Sequence, residues 1–312
     1  MARCENVRVI DPKRLRVLRA VADHQTVTAA AAALYLTPSA VSQQLAALEA
    51  ESGHTLLSRN SRGVRLTTAG HILLEHAHAV VAQLEQAEAE LAAHARGRVG
   101  EVVVASFASG IVEVLAPVIA RLGTVEPGIR VRVRDAEGDE SLPLVLDGEA
   151  DLAVAVEYRG APSADDPRLT RVPLYAEPFD AVLDGCHPQV GAERVDLSAL
   201  AEDDWIGPYP GNPCREVTLL ACELAGFEPR LVHVSDDFRA VVALAGSGAG
   251  VALVPRSALR GMELTRAVVR PVEAPAATRR VFAAVRRGAA EHPLIRPVLD
   301  VLAEVAAELP TE

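Results

Sequence analysis

The stretch from Thr26 to Leu48, TVTAAAAALYLTPSAVSQQLAAL, permits few folds. Thr26 is a helix-capping residue ahead of a run of small side chains. Thr37-Pro38 repeats the cap and adds a proline at a first helical position. Two short helices with a tight turn across Tyr35 and Leu36 follow, which is the layout of a helix-turn-helix. On the second helix Val41, Leu45 and Leu48 recur at steps of four and three and face inward. Ser39, Ser42, Gln43 and Ala46 face outward. Gln pairs with an adenine edge and Ser bonds a base or a phosphate, so this face suits a DNA groove. An ordinary amphipathic helix with a solvated face gives the same pattern, so the flanking residues decide.

They extend the pattern. Asp11-Pro12 starts an earlier helix with Leu15, Leu18, Val21 and Ala22 on one face. Gly53 can close the helix that begins at Pro38. Then come strand candidates Thr55–Ser58 and Val64–Leu66 around the turn Asn60-Ser61-Arg62-Gly63. Arg59, Arg62 and Arg65 cluster on that hairpin, as on a wing that grips phosphate. Residues 1–66 hold nine Lys and Arg against five Asp and Glu, in a chain whose net charge is −11. A basic head on an acidic body suits a protein that meets phosphate with one end only.

Thr67 to His94 contains no proline and a single glycine, Gly70. Leu73, Ala77, Val80, Leu84, Ala87 and Leu91 step by four and three in alternation, a heptad seam. About 28 helical residues span about 42 Å, too far to bury against one small head. A second copy is the expected cover, antiparallel where Ala lets backbones approach. Two tethered heads then read an inverted repeat with raised effective concentration.

Beyond Gly97 strands and helices alternate, which predicts a parallel sheet with helices on both faces. Strands are expected at Val99–Ser106, Ile129–Asp135, Leu152–Val156, Phe179–Leu183, Trp205–Gly207, Leu231–Val234, Val251–Val254 and Arg279–Val285. The fold class is α/β with an all-α, winged N-terminal domain. The expected divisions are 1–66 for the head, 67–97 for the linker helix and 98–312 for a two-lobed body. Lobe I takes about 98–175 and 268–312, and lobe II about 176–267. Two such lobes make a cleft, and ligands sit beyond strand ends near helix N-termini. Three loops qualify: Ser106, Phe107 and Ser109 after the first strand, Gly207 to Cys214, and Ser235-Asp236 ahead of a helix. Each also reads as an ordinary loop with a capping serine.

No catalytic site is expected, since GxSxG, HExxH and phosphate-binding glycine patterns are missing. No metal or cofactor is expected either: the nine histidines are scattered, and Cys4, Cys186, Cys214 and Cys222 have no CxxC spacing. Without an apolar h-region near the start or a run of 18 apolar residues, a cytoplasmic, membrane-free protein is expected.

The block from Leu15 to Gly70 resembles the N-terminal domain of LysR-type transcriptional regulators. Leu15, Ala20-Val21-Ala22, Thr26, Ala30-Ala31, Leu34, Ala40-Val41-Ser42, Leu48-Glu49, Gly53, Leu56, Arg59, Arg62, Leu66-Thr67 and Ala69-Gly70 carry it. GEADLAVAV, PLYAEPFDAVL and AGSGAGVALVP are similar to that family's effector domain, which is periplasmic-binding-protein-like. The resemblance implies a winged helix-turn-helix contacting promoter DNA through Thr28, Ser39, Ser42, Gln43, Arg59, Arg62 and Arg65. It implies homodimers joined by the linker helix, commonly homotetramers, with RNA polymerase as a candidate partner. It also implies a small-molecule effector between the lobes, with Ser106, Ser109 and Gly207 as the best-placed residues. Glu137 and Asp236 facing the cleft would favour a cationic or hydroxylated ligand. Pro38 departs from the family's usual Gln, Leu57 from Phe and Gln25 from Gly. The alternative is a redox-sensing regulator switching through Cys214 and Cys222, whose spacing differs by one residue from that of the peroxide-sensing relatives.

Overall fold

The computed structural model describes residues 9–60, 63–94, 99–137, 140–159, 161–273 and 277–309. Caps set the head. α1 (Pro12–His24) starts at Asp11, whose carboxylate accepts from the Lys13 N–H. α2 (Val27–Ala33) starts at Thr26, which accepts from Ala29, and α3 (Pro38–Ser52) at Thr37, which accepts from Ala40. Each cap satisfies a donor the helix leaves open and contributes about 1 kcal/mol. Gly53, at φ 72°, closes α3. Leu18, Val21, Val41 and Leu48 fill the core, and Ala30 and Ala31 bring α2 close. The hairpin strands are β1 (Leu57–Asn60) and β2 (Gly63–Leu66), antiparallel. The first strand starts two residues later than expected. Glu49 Oε1 takes the Leu56 and Leu57 N–H groups at 2.7 and 3.2 Å, so the start of that segment is tied to α3.

α4 (Thr68–His94) is a single helix, as its proline-free sequence requires. Gly70 is obligatory in it: a Cβ there would lie 2.2 Å from the Leu56 carbonyl oxygen. Leu73 and Ala77 pack on the chain's own head. That placement differs from the expected seam, because the first turns of α4 lie along α1. From Val80 onward the seam is open. Val80, Leu84 and Leu91 are 36%, 37% and 72% exposed, and Ala87 is exposed. Val81 and Ala89 are buried.

The body contains β3 (Gly100–Ser106), then α5 (Ala108–Gly110), which runs through a π-helical turn (Ile111–Leu115) into α6 (Ala116–Val125). β4 (Ile129–Asp135), α7 (Ser141–Leu146), β5 (Leu152–Val156) and β6 (Leu169–Asp184) follow. Next are β7 (Asp204–Gly207), α8 (Pro213–Leu224), β8 (Arg230–Val234), α9 (Phe238–Gly246) and β9 (Ala252–Pro255). β10 (Ala267–Pro271), β11 (Thr278–Arg286) and α10 (Ile295–Ala307) complete it. One seven-stranded sheet runs β10-β6-β11-β5-β3-β4, with β9 also on β6. In lobe I, Val104, Leu115, Val118 and Leu302 pack on one face, and Leu142, Val145, Ala153 and Phe282 on the other. In lobe II, Trp205, Cys222 and Leu253 pack towards α8, and Val182, Val242 and Ala245 towards α9.

Two expectations are corrected. The sheet is mixed, since β11 pairs antiparallel to β5 and β6. β6 is one strand of 16 residues that crosses between lobes, where the sequence suggested only Phe179–Leu183. Pro173 and Pro178 disguise it. The β6–β11 register slips at Leu174, opposite Val281 and Phe282, and a bulge is where a sheet tolerates proline. β10 pairs with Asp180 to Asp184, so the chain stays in lobe II past residue 268 and returns to lobe I along β11.

The head also meets lobe I directly. Arg168 holds Asp166 at 2.7 Å and also pairs with Asp23 at the end of α1. His24 Nε2 lies 3.1 Å from Asp147, and Arg19 donates to the Leu146 carbonyl at 3.3 Å. Burial pushes the Asp23 carboxyl up, while Arg168 opposes it. Arg286 reaches Glu85 of α4 at 3.1 Å. Gly288, at φ +92°, sits where a Cβ would lie 2.2 Å from the Ala82 carbonyl oxygen.

Candidate nucleic-acid interface and interlobe cleft

On the head, Thr28, Ser39 and Gln43 are exposed and Ser42 is half-buried. The inward turns of α3 at Val41, Leu45 and Leu48 hold this polar face outward. The Thr37 and Ser39 hydroxyls lie 3.0 Å apart, at the helix end whose free N–H groups favour phosphate. Arg65 is exposed on β2 beside it. Arg62 and the Arg59 side chain lie outside the described residues. The sequence marked Tyr35 only as a turn residue: it is 81% exposed in the turn before α3, at φ 54°. Its signal was an aromatic residue at a turn position that core packing does not need. Glu49 carried the family resemblance without a role of its own, and its double acceptance ties the start of the wing to α3.

In the body a cavity of about 510 Å³ opens between the lobes. Of the expected residues, Phe107, Ser109, Glu137 and Asp236 line it. Ser106, Gly207 and Ser235 are not among its lining residues. Ser106 is fully buried, facing the backbone of Gly110. Gly207 is packed under Leu231, and the Ser235 hydroxyl accepts from Asp237 N–H at 3.2 Å. Close packing and local turn bonds hold these three.

The cavity floor is a polar network that the sequence did not reveal. Arg279, 1% exposed, donates from Nε to Glu177 at 2.7 Å. From Nη2 it reaches Ser109 at 3.0 Å and Ser257 at 3.3 Å. Its Nη1 lies 3.7 Å from Cys214 Sγ. Burial alone would lower the guanidinium pKa, and Glu177, Cys214 and Tyr175 together outweigh it, so Arg279 stays charged. Two contacts bridge the lobes across the mouth. Arg260 pairs with Glu113 at 3.0 Å, and Asn212 Nδ2 reaches Glu137 at 3.3 Å and Asp236 at 3.1 Å. Glu137 also accepts the Ala108 N–H at 3.1 Å. Burial pushes its carboxyl up, helped by Asp135 and Asp236.

A winged helix-turn-helix, a long helix and a two-lobed cleft define a DNA-binding transcriptional regulator with an effector domain. Residues 12–71 match the profile of the "Bacterial regulatory helix-turn-helix protein, lysR family", and residues 95–307 that of the "LysR substrate binding domain". The chain belongs to the LysR family of bacterial transcriptional regulators. It is 33% identical over 251 residues to the Mycobacterium avium "Probable hydrogen peroxide-inducible genes activator", covering 78% of each chain. It shares its fold with the Corynebacterium glutamicum OxyR C206 mutant at TM-score 0.61 and 22% identity, over 96% of this chain and 93% of that one. Full-length CbnR complexed with its target DNA gives 0.55 and 24%, over 95% of this chain and 99% of that one.

Proposed function

We propose that residues 1–66 read promoter DNA, 67–97 pair two chains and 98–312 hold a small effector between the lobes. Ser39, Ser42, Gln43 and Thr28 meet base edges or phosphates, with Tyr35 beside them, and the wing arginines grip the backbone. The observation that carries this reading is the exposed polar face of α3 next to Arg65. The open row Val80, Leu84, Ala87 and Leu91 supports pairing through a second copy. Pairing positions two heads on an inverted repeat, and an effector that favours one lobe closure biases their spacing.

The test uses the chain's own upstream promoter fragment. Gln43→Ala should relax base preference at one position, at a cost of about 1–3 kcal/mol. Arg65→Ala should weaken all sequences alike and lower the salt slope by about 1. Identical behaviour of the two variants would refute the assigned groove face.

A second reading, peroxide sensing at Cys214, draws on the Mycobacterium avium relative's name and on the Arg279 contact. Burial pushes the Cys214 thiol up, which opposes thiolate formation. Cys222 is eight residues on in the same helix, about 12 Å along its axis, beyond the roughly 7 Å Cα limit for a disulfide. That switch requires α8 to unwind. Peroxide-dependent loss of the Cys214 thiol together with altered promoter binding would support it, and unchanged binding after quantitative oxidation would dismiss it.

A further inference from the structure

The charge inside the cleft narrows what it accepts. The start of a helix after a strand is the usual place to receive an anion, because its N–H groups are unpaired. Here the Ala108 N–H already holds Glu137 Oε1 at 3.1 Å. The chain supplies its own carboxylate, and an anionic ligand would have to displace it.

The arginines do not offset this. Arg279 is committed to Glu177 and Arg260 to Glu113. Of the lining arginines, Arg239 alone has no ion pair among the described residues. Against it stand Asp135, Glu137, Asp236 and Asp237, which form no ion pair among those residues, although Arg279 acts on Glu137 from a distance. Glu137 and Asp236 instead share one neutral donor, the Asn212 amide. Each carboxylate otherwise holds one backbone N–H, from Ala108 and from Tyr209, so their donors are all neutral and a cationic donor would be stronger.

A second observation is independent of charge. Ser141 lines the same cavity and is 2% exposed. A ligand seated there lies against a hydroxyl that can both donate and accept.

Resting on the reading of the cleft as the effector site, we infer that the effector is a small organic cation. It is an amine or guanidine whose charged group binds Asp135, Glu137 and Asp236 and whose polar end meets the Ser141 hydroxyl. It would replace Asn212 as the donor shared across the mouth, so its binding changes the bridge between the lobes.

The test is calorimetric titration of the full chain at fixed ionic strength. The probes are 1,4-diaminobutane, agmatine and arginine, with succinate and benzoate as matched carboxylates. At least one cation should bind, weakened tenfold or more by Glu137→Gln and by Asp236→Asn, and several-fold by Ser141→Ala. Both carboxylate variants retain a hydrogen-bonding group at the same position, and thermal melts confirm folding. Carboxylate binding without cation binding overturns the charge assignment and leaves the cleft reading intact. Cation binding that neither Glu137→Gln nor Asp236→Asn weakens also overturns it. Val112→Trp fills the cavity mouth from an exposed position. If every probe that binds is indifferent to it, the cleft reading itself fails. Absence of binding by all three cations overturns the inference.

Discussion

Two polar seams join parts of this chain, and they follow opposite charge rules. Where the head meets lobe I, each carboxylate faces a basic side chain: Arg168 lies between Asp166 and Asp23, Arg19 also acts on Asp23, and His24 faces Asp147. Where lobe I meets lobe II, carboxylates exceed available cations, and a neutral amide bridges Glu137 and Asp236. Matched charges in a half-buried seam need nothing further and hold position. A seam with unbalanced charge is held less firmly and gains from a ligand. On the proposed function, the head–lobe contact therefore serves as structure, and the cleft as a receiver.

Three substitutions test this contrast. The largest effect is expected from Arg168→Ala. It strands Asp23 and Asp166 in a seam where the three side chains are only 18%, 19% and 12% exposed. Partial exposure softens the penalty of a buried broken pair, leaving about 2 kcal/mol. Amide exchange in residues 19–26 should accelerate, while β5 stays protected. Unchanged exchange at the end of α1 would show that the seam does not hold the head.

Glu137→Gln should act through pH. The folded-state carboxyl is raised above its ordinary value of 4.5. Its stabilising contribution is present below that value and fades as pH rises through the shifted one. The variant stays neutral, so its melting temperature should overtake that of the unsubstituted chain as pH climbs from 4.5 towards 7. The groups facing Glu137 are Asp135, Asp236 and Arg279. A difference constant with pH would mean that Glu137 ionises freely in the cleft.

The smallest effect is expected at Gln25, next to the matched seam. It holds φ 57° at the end of α1, a conformation that costs a side chain about 1 kcal/mol and glycine little. Gln25→Gly should raise the urea midpoint by about 0.5 kcal/mol equivalent with an unchanged slope. A fall instead would mean that the Gln25 side chain contributes more than its backbone strain costs.

The head was readable because its signals are local. Asp11-Pro12, Thr26, Thr37-Pro38 and Gly53 each act within a few residues, and each stands where the sequence indicated. The crossing strand β6 was not readable, since its prolines are tolerated only through pairing with β11, about a hundred residues away. The cleft was half readable. Phe107, Ser109, Glu137 and Asp236 follow strands and could be found by loop position. Asn212 fell inside the selected loop Gly207 to Cys214 without being singled out, and Arg279 could not be found, because its role arises from partners distant in sequence. The one local clue was Arg279 itself, a charged residue at an inward-facing position just ahead of the apolar run 281–285 of β11.

Gly288 has a mechanical consequence. Its backbone rests against the peptide groups of Ala82 and Gln86 with no space for even a methyl group, and Arg286 grips the same helix through Glu85. A junction this tight has little slack, so lobe I and the rod turn together like a key and its shaft. On the proposed function, a movement of lobe II on engaging a ligand would be felt as torque about that shaft, delivered at the far end to the head that reads the double helix.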